Sequence, residues 1–486
     1  MIPQFIPNWI DGKECEALSG ARLDKINPVT GEKQSSVARS TETDIAHAVE
    51  VARKAQPAWA ETPAVQRGML LLELVIGMKA RQKEIAEIVA AETGKSLKDA
   101  MGETGGAIQL GLFYASEGQR LYGRTCTSGA PNKYAMTVRQ PLGVAGLIVP
   151  ANTPIANVAW KMFPALICGN SVVMKASEDT PATAWIIGKI ACDVGIPKGV
   201  LNFVQGYGKE AGASLAAHAG VDVISFTGST SVGREIQRVA CDRFARVSLE
   251  LGGKNALVVC DDADLNSAAK WVVLSAFSNA GQRCAACSRV IIFDSVYEQF
   301  KKILLEKTAA QKVGATDNDD FGPVINERQL NNMVAAVEAA KKEGSKILTG
   351  GSRLIDEAHA KGFYMAPTIL ENVNPKAAIS QKELFGPITI LYKVKTFQEA
   401  LDLANDSAYG LTACIHTKNY DRAIKFCEKI QTGVAVVNGG TYGSEPHMPF
   451  GGMKQSGNGT REPGTEALDV FSELKDIYLL LDPSHL

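Results

Sequence analysis

The sequence predicts an α/β protein built around a parallel sheet, because short apolar runs alternate with helical segments through the middle of the chain. Residues 44–121 are rich in Ala, Glu, Lys and Leu at helical spacing and are predicted to be helical. A further helix is expected over residues 180–194, where Pro181 suits the first turn. Strands are expected at residues 144–149, 171–174, 201–204, 221–226 and 256–260.

Size and charge limit the class of partner. The 486 residues suggest about two to four domains. The 51 Lys plus Arg residues balance 52 Asp plus Glu residues, so no basic surplus favours nucleic acid, and none is expected as a partner. Small ligands that are near-neutral or anionic are the expected partners.

The chain shows no sign of secretion or membrane insertion. Residues 1–13 lack a basic segment followed by an apolar run. Residues 140–160 are uncharged and long enough to span a bilayer, but Pro141, Pro150 and Pro154 suit a lipid-facing helix poorly. We interpret this stretch as a buried strand running into a site loop. The ten scattered cysteines indicate reduced thiols and a cytoplasmic protein with no membrane partner.

Metal and serine-hydrolase chemistry are disfavoured. Only Cys284 and Cys287 form a C-x-x-C pair, and the six histidines never pair at ligand spacing, so no metal site is expected. The motifs G-x-S-x-G and H-E-x-x-H are both missing.

Two motifs indicate nucleotide binding, and each has a plainer alternative. Phe226-Thr-Gly228-Ser229 joins a predicted strand to a helix, and the amides of such a turn bind anions. Alternatively, Ser229 only caps the helix. Lys175 and Glu178 follow another strand, where a carboxylate can accept ribose hydroxyls and repel a 2′-phosphate. Alternatively, they are surface charges at the start of a helix.

Glu250 and Cys284 are the candidates for acid–base and nucleophilic chemistry. Alternation puts Glu250 on the face of a strand opposite its apolar neighbours, beside glycines that leave room for a water. A lone Glu is otherwise an exposed residue. Small residues precede Cys284, and Arg283 adds positive charge that would favour its thiolate, although a free cysteine is otherwise a small buried hydrophobe. Cys287 is either a core residue or close enough to Cys284 to form a disulfide under oxidation.

Taken in order, these motifs resemble the aldehyde dehydrogenase superfamily over nearly the whole chain. So many motifs in the family's order make the resemblance specific. The matching motifs are Asn27-Pro-x-Thr-Gly31, Asn152, Lys175 with Glu178, Phe226-Thr-Gly-Ser, Glu250-Leu-Gly-Gly, Gly281-Gln-x-Cys284, Glu383-Leu-Phe385-Gly-Pro and Pro449-Phe-Gly-Gly-Met-Lys-Gln-Ser456-Gly.

The resemblance implies an NAD(P)-dependent oxidation of a small aldehyde to a carboxylate. Cys284 would attack the aldehyde as a thiolate, and the side-chain amide of Asn152 would hold the oxyanion together with the Cys284 backbone amide. Loss of hydride would leave a thioester, which water activated by Glu250 would hydrolyse. Family members that pass the acyl group to coenzyme A usually lack this acid. Lys161 matches a site lysine that helps to position groups around the chemistry.

The resemblance also implies which residues bind the cofactor. Glu178 favours NAD, and NADP is retained as the alternative. The implied cofactor residues are Lys175, Ser177 and Glu178 at the adenosine ribose, Phe226, Gly228 and Ser229 at the pyrophosphate turn, and Glu383 with Phe385 at the nicotinamide ribose.

One departure from the family pattern concerns the substrate pocket. Many members have Trp-Asn-Phe-Pro where this chain has Ala-Asn-Thr-Pro, so Thr153 replaces an aromatic wall of the pocket. Asn157 and Arg283 would make the pocket more polar, beside Trp160 and Ala285. The hypothesis is an aldehyde with a polar or carboxyl group, such as a semialdehyde. The alternative is that these residues point away from the pocket.

The resemblance implies a three-part architecture. Residues 1–121 with 142–252 would form a Rossmann-like dinucleotide-binding domain, and residues 253–465 an α/β catalytic domain. Residues 122–141 with 466–486 would form a small β oligomerisation arm, whose last strand would pair with the arm of another subunit in a homodimer or homotetramer. The competing functions are an acyltransferase or esterase that uses Cys284 without hydride transfer, and a non-catalytic binding protein.

Overall fold

Helices and strands alternate along most of the chain in the computed structural model, which describes residues 2–485. Short turns of π or 3-10 helix lie at Gly208–Gly212, Ser278–Gly281, Asp294–Val296 and Pro483–His485. The α-helices are α1 (Glu42–Glu61), α2 (Ala64–Ala80), α3 (Gln82–Thr93), α4 (Leu97–Glu117), α5 (Pro154–Ile167), α6 (Pro181–Asp193), α7 (Ala213–Ala217), α8 (Thr230–Cys241), α9 (Leu265–Phe277), α10 (Tyr297–Ala309), α11 (Glu327–Lys342), α12 (Ala378–Gln381), α13 (Phe397–Asn405), α14 (Tyr420–Lys429) and α15 (Ala467–Phe471).

The strands are β1 (Phe5–Ile6), β2 (Asn8–Ile10), β3 (Lys13–Cys15), β4 (Arg22–Ile26), β5 (Lys33–Ala38), β6 (Thr125–Thr127), β7 (Lys133–Pro141), β8 (Val144–Ile148), β9 (Ser171–Lys175), β10 (Leu201–Val204), β11 (Val223–Thr227), β12 (Arg246–Glu250), β13 (Asn255–Val259), β14 (Cys287–Phe293), β15 (Lys346–Thr349), β16 (Thr368–Glu371), β17 (Ile388–Val394), β18 (Tyr409–Gly410), β19 (Thr412–His416), β20 (Val434–Val437), β21 (Met453–Lys454) and β22 (Ser472–Leu480).

The first large sheet has the strand order β12-β11-β8-β9-β10-β2-β3, and its strands from β12 to β10 run parallel. The strands expected between residues 144 and 226 are confirmed as β8 to β11. Both faces of this sheet are buried, since Val172 and Met174 enter one apolar core and Val173 enters another. Because these strands are parallel, their carboxyl ends meet at one edge of the sheet, where open α/β sheets bind ligands.

The second large sheet has the order β15-β16-β17-β14-β13-β19-β20 and is parallel except for β15. The strand expected at residues 256–260 is confirmed as β13. At the amino ends of β13 and β14, Asn255 pairs with Cys287. Because β12 ends at Glu250, the chain passes directly from the carboxyl edge of the first sheet to the amino edge of the second.

The helical prediction for residues 44–121 is confirmed as four helices, α1 to α4. The uncharged stretch at residues 140–160 contains the expected buried strand and a loop at residues 149–153, and its remainder belongs to α5. Pro154 begins α5, because its fixed backbone angle suits the first turn of a helix. Among the described residues, no helix is both long and apolar enough to cross a membrane.

The arm is a three-stranded antiparallel sheet in the order β22-β7-β6. One edge of the last strand is paired within the chain, and the expected pairing of this arm with another subunit stays a prediction. This strand pairs with β7 of the same chain, from Ser472 opposite Pro141 to Leu480 opposite Lys133. The domain limits and the oligomeric state stay predictions.

Candidate active site

A strained backbone segment comes just before Cys284. Asn279, Ala280 and Gly281 have φ values of 56°, 54° and 65°, which is the left-handed region. At Gly281 a Cβ atom would lie 2.1 Å from the carbonyl oxygen of Gly386, so no other residue fits there. This turn ends α9 and leads the chain to Cys284 before β14 begins.

The Cys284 side chain packs against a small apolar cluster. The ring centroids of Trp160 and Phe450 are 5.6 Å apart, and the Arg283 guanidinium lies 5.1 Å from the centroid of Tyr442. Tyr442 and Phe450 are not among the pocket residues predicted from the sequence. The cluster consists of Ala285, Leu411 and Phe450, with Trp160, Cys284, Val434 and Tyr442 packed against it.

The charge of Arg283 favours a thiolate at Cys284, as expected, but it does not set the pKa of the thiol. Burial, followed by the charges of Glu383 and Glu250, raises the pKa of the Cys284 thiol to about 12. Arg283 acts in the opposite direction, but more weakly. The side chain therefore carries its proton at neutral pH.

We expect alkylation of Cys284 by iodoacetamide to speed up about tenfold per pH unit between about pH 7 and 9, because only the thiolate reacts. At about pH 8, Glu383→Gln should react several-fold faster, since it removes a charge that raises the thiol pKa. Reaction rates with mass identification of the labelled peptide provide the measurement. A rate independent of pH would contradict the raised pKa.

Asn152 lies in the loop between β8 and α5 and reaches the segment that carries Cys284. Its Nδ2 donates to the carbonyl oxygen of Gln282 at 3.0 Å. Asn157 Nδ2 bonds within the same loop, and its place in the substrate pocket stays a prediction. That atom donates to Asn152 Oδ1 at 3.3 Å and to the backbone oxygen and Oγ1 of Thr153 at 2.9 and 3.0 Å. Asn157 therefore orients the loop.

Glu250 ends β12 and is 7% exposed. The alternation that we inferred is present, since Val247 and Leu249 enter the apolar core on the other face. Among the described residues, neither carboxylate oxygen of Glu250 has a hydrogen-bond partner. Burial and the nearby Glu462 carboxylate raise the pKa of Glu250 well above its ordinary value. At Gly451 a Cβ would lie 2.7 Å from Glu250 Oε1, so a glycine there leaves room beside the carboxylate.

Lys161 forms a buried ion pair behind Glu250. Its Nζ lies 2.9 Å from Glu462 Oε2 and donates to Ser225 Oγ at 2.7 Å. The other oxygen of Glu462 accepts from Ser225 and from Ser248, both at 2.7 Å. Glu462 could not be predicted from the sequence, because nothing near it in the chain indicates that it meets Lys161.

The turn after β11 has the geometry of an anion site. At Gly228 a Cβ would lie 2.4 Å from the Phe226 ring, so the turn requires glycine. Ser229 Oγ accepts from the backbone amide of Val232 at 3.5 Å, which is the helix-cap interpretation. The cap does not use up the other backbone amides at the start of α8, which remain suited to a phosphate, so anion binding at this motif stays a prediction.

Lys175 and Glu178 face each other at the same edge of the sheet. Lys175 Nζ lies 2.8 Å from Glu178 Oε2. Burial raises the pKa of Glu178, but Lys175 and backbone amides, including that of Gly208, outweigh it and hold the pKa below its ordinary value. Ser177 Oγ accepts from the Asp179 amide at 3.3 Å and so shapes the loop between them. This ionised carboxylate is a suitable acceptor for ribose hydroxyls.

Glu383 lies against the segment that follows Glu250. Its Oε1 accepts from the Gly253 amide at 3.0 Å, and a Cβ at Gly252 would lie 2.1 Å from its Oε2. Burial raises the pKa of Glu383 to about 7. Phe385 adopts a φ of 58°, which turns the chain sharply after Glu383.

Cys287 lies in a different apolar core from the cluster that contacts Cys284. It is buried in the core formed by β13, β14 and α9, and both it and Cys284 are free thiols. Among residues 2–485, no group of three or more His, Cys, Asp or Glu side chains could hold a metal ion.

Comparison with known proteins gives consistent matches. A model of the aldehyde dehydrogenase family matches residues 16–477. The alpha-ketoglutaric semialdehyde dehydrogenase of Bacillus subtilis (strain 168) is 40% identical over 477 residues, which cover 97% of this chain and 97% of the relative. The alpha-ketoglutarate semialdehyde dehydrogenase of Haloferax volcanii is 37% identical, over 97% of this chain and 98% of the relative. A solved structure of betaine aldehyde dehydrogenase from Staphylococcus aureus in complex with NAD+ has a TM-score of 0.96 at 32% identity, over 98% of this chain and 95% of that one.

Proposed function

The chain belongs to the aldehyde dehydrogenase family, and from that premise we propose that it oxidises a carboxyl-bearing semialdehyde with NAD, using Cys284 as nucleophile. The observation that carries the proposal is the contact between Asn152 and the segment that bears Cys284, and the effect of Glu250 on the thiol pKa supports it. Asn152 Nδ2 bonds to Gln282, two residues before Cys284. The Glu250 carboxylate is close enough to raise the pKa of the Cys284 thiol.

In the first half of the proposed reaction, the Cys284 thiol loses its proton to water, and its sulfur bonds to the aldehyde carbon. The carbonyl electron pair moves to oxygen, where Asn152 Nδ2 and the Cys284 backbone amide donate to the negative charge. When the C=O bond re-forms, the C–H electron pair leaves as hydride and a thioester remains on Cys284. Bound NAD supplies the acceptor for that hydride.

In the second half, Glu250 removes a proton from water, and the oxygen bonds to the thioester carbon. The C–S bond then breaks, Cys284 leaves as a thiolate, and the carboxylic acid product gives its proton to water and is released as the carboxylate. The unpartnered oxygens of Glu250 and the space at Gly451 support this role, because they leave room for a water beside the base. Since the pKa of Glu250 is raised, this step should be faster at higher pH.

The residues around the crevice fit a dinucleotide. The amides at the start of α8 suit a pyrophosphate, and Glu178 suits ribose hydroxyls while repelling a 2′-phosphate. Glu383 suits the second ribose. The related enzyme from Staphylococcus aureus was solved with NAD+, which supports NAD over NADP here.

The proposed substrate class is a short aldehyde with a carboxylate at its far end. Two curated relatives are named for alpha-ketoglutarate semialdehyde. In this chain Arg283 adjoins Cys284 and lies over Tyr442, and its Nε has no hydrogen-bond partner among the described residues. A guanidinium with a free donor is suited to bind a carboxylate. Alpha-ketoglutarate semialdehyde is therefore the first substrate to test.

Replacing Arg283 by methionine tests this assignment. We expect kcat/KM for alpha-ketoglutarate semialdehyde to fall about tenfold to a hundredfold, since a charged hydrogen bond to the substrate is lost. The value for propanal, which has no carboxylate, should change by less than about threefold. NADH formation measured with both aldehydes, with NAD and with NADP, gives these values.

The exposed Arg328 on α11 offers a matched control, and Arg328→Met should leave both values unchanged. A preference for propanal in the parent enzyme would overturn the substrate class alone. If no aldehyde gave NADH or NADPH, the oxidation itself would be refuted, and the acyltransferase or esterase alternative would be favoured.

A further inference from the structure

A buried ion pair that takes no part in the proposed chemistry lies behind the Asn152 loop. Lys95 Nζ is 2.6 Å from Glu103 Oε2, and the two side chains are 6% and 7% exposed. Lys95 joins α3 to α4, and Glu103 lies within α4. A buried ion pair is weak support for stability, since the desolvation of both charges opposes their attraction.

Glu103 holds the first turn of α5. Its Oε1 accepts from the backbone amides of Ile155 at 3.0 Å and Ala156 at 3.4 Å. The residue before the helix, Thr153, makes no side-chain cap, because its hydroxyl accepts from Asn157 instead. The carboxylate of a distant helix therefore satisfies amides that a local side chain would ordinarily cap.

Lys95 holds the residue at the other end of the same short loop. Its Nζ donates to the backbone oxygen of Asn152 at 3.0 Å. The same oxygen accepts from Asn279 Nδ2 at 3.1 Å, and Asn279 Nδ2 also lies 3.2 Å from the Gln282 oxygen. Asn279 belongs to the left-handed turn before Cys284. The backbone of Asn152 is thus tied on one side to the ion pair and on the other to the nucleophile's own segment.

We propose that Lys95 and Glu103 are positioning residues, which fix the Asn152 amide at the distance and angle that the oxyanion requires. The proposal rests on the proposed role of Asn152. Neither residue touches the reacting atoms. A catalytic group must be held in position to within a fraction of an ångström, and it loses much of its effect when the residues that hold it are removed. A displacement of about 1 Å can cost a hundredfold in rate.

Lys95→Met and Glu103→Gln test the proposal in the full-length enzyme. We expect kcat/KM for the aldehyde to fall about tenfold to a hundredfold, with the Kd for NAD changed by less than about twofold. Lys95→Arg, which keeps the charge and the donors, should recover most of the loss. Steady-state kinetics and titration of NAD by fluorescence provide the readouts. A fall in NAD affinity equal to the fall in kcat/KM would indicate general damage to the fold and overturn the proposal.

Lys301→Met is the matched control. Lys301 Nζ lies 3.1 Å from Glu371 Oε2 in another partly buried pair, far along the chain from Asn152. The variant should lose stability without losing kcat/KM. If it lost as much kcat/KM as Lys95→Met, positioning through Asn152 would be refuted.

A double-mutant cycle of Lys95→Met with Asn152→Ala separates the positioning role of Lys95 from the role of Asn152 at the oxyanion. If Lys95 acts through Asn152, then Lys95→Met should cost little further rate once the amide is gone. Full additivity of the two losses would overturn the positioning role alone. If Asn152→Ala itself kept the parent kcat/KM, the proposed oxyanion site would fail, and the positioning role with it.

Discussion

Replacing Cys284 by serine is expected to lower kcat/KM for aldehyde oxidation by at least about 10⁴-fold. An alcohol ionises far less readily than a thiol, so a serine oxygen at this position would be a much weaker nucleophile. The Kd for NAD should change little, because the residues that fit the dinucleotide lie on other segments. NADH formation and NAD titration of the purified variant measure the two quantities.

Cys287→Ser serves as the control, because it changes the same atom three residues along the chain. Cys287 is buried in a separate core, so this variant should lose some stability and keep its rate within about threefold. If Cys287→Ser lost the rate and Cys284→Ser kept it, Cys284 would not be the nucleophile.

Glu250→Gln is expected to stop the enzyme after one half-reaction. The amide cannot take a proton from water, so the steady-state rate should fall about 10²- to 10⁴-fold. Loss of the Glu250 charge also lowers the pKa of Cys284, which favours formation of the thioester. Rapid mixing should therefore show a burst of about one NADH per site, followed by near arrest.

Mass spectrometry of the arrested protein should show an acyl group on the peptide that contains Cys284. The exposed Glu357 provides a control, and Glu357→Gln should turn over normally without accumulating the adduct. A parent-like steady rate in Glu250→Gln would exclude Glu250 as the base. If Glu250→Gln were inactive and showed neither a burst nor an adduct, Glu250 would act before the thioester forms.

The central strands could be predicted from the sequence because their apolar runs are local signals. Residues 201–204 form β10 with the expected bounds. The helix that begins at Pro154 does not follow from the sequence alone, since proline ends helices as well as beginning them. The intrachain pairing of β22 with β7 could not be predicted, because a sequence does not distinguish its own β7 from a neighbour's.

Around the site, residue identity could be predicted better than environment. Alternation places Glu250 opposite Leu249, but its burial comes from a segment about two hundred residues later, where Ser456 accepts from the Leu251 amide. The raised pKa of Cys284 could not be predicted from the sequence. Arg283 is adjacent in the chain, whereas Glu383 comes near the thiol only in the folded structure. Lys95 and Glu462 carry no local signal at all.

The three residues with left-handed backbone conformation before Cys284 also limit which parts of the site can change when the substrate range of the protein changes. Two of them are not glycine, and each such conformation is held against a cost of about 1 kcal/mol by its surroundings. A backbone fixed in this way gives the sulfur little room to shift as new substrates are selected. Changes in substrate range should therefore accumulate in the side chains that face it, such as Tyr442 and Phe450, while the turn tolerates almost no variation.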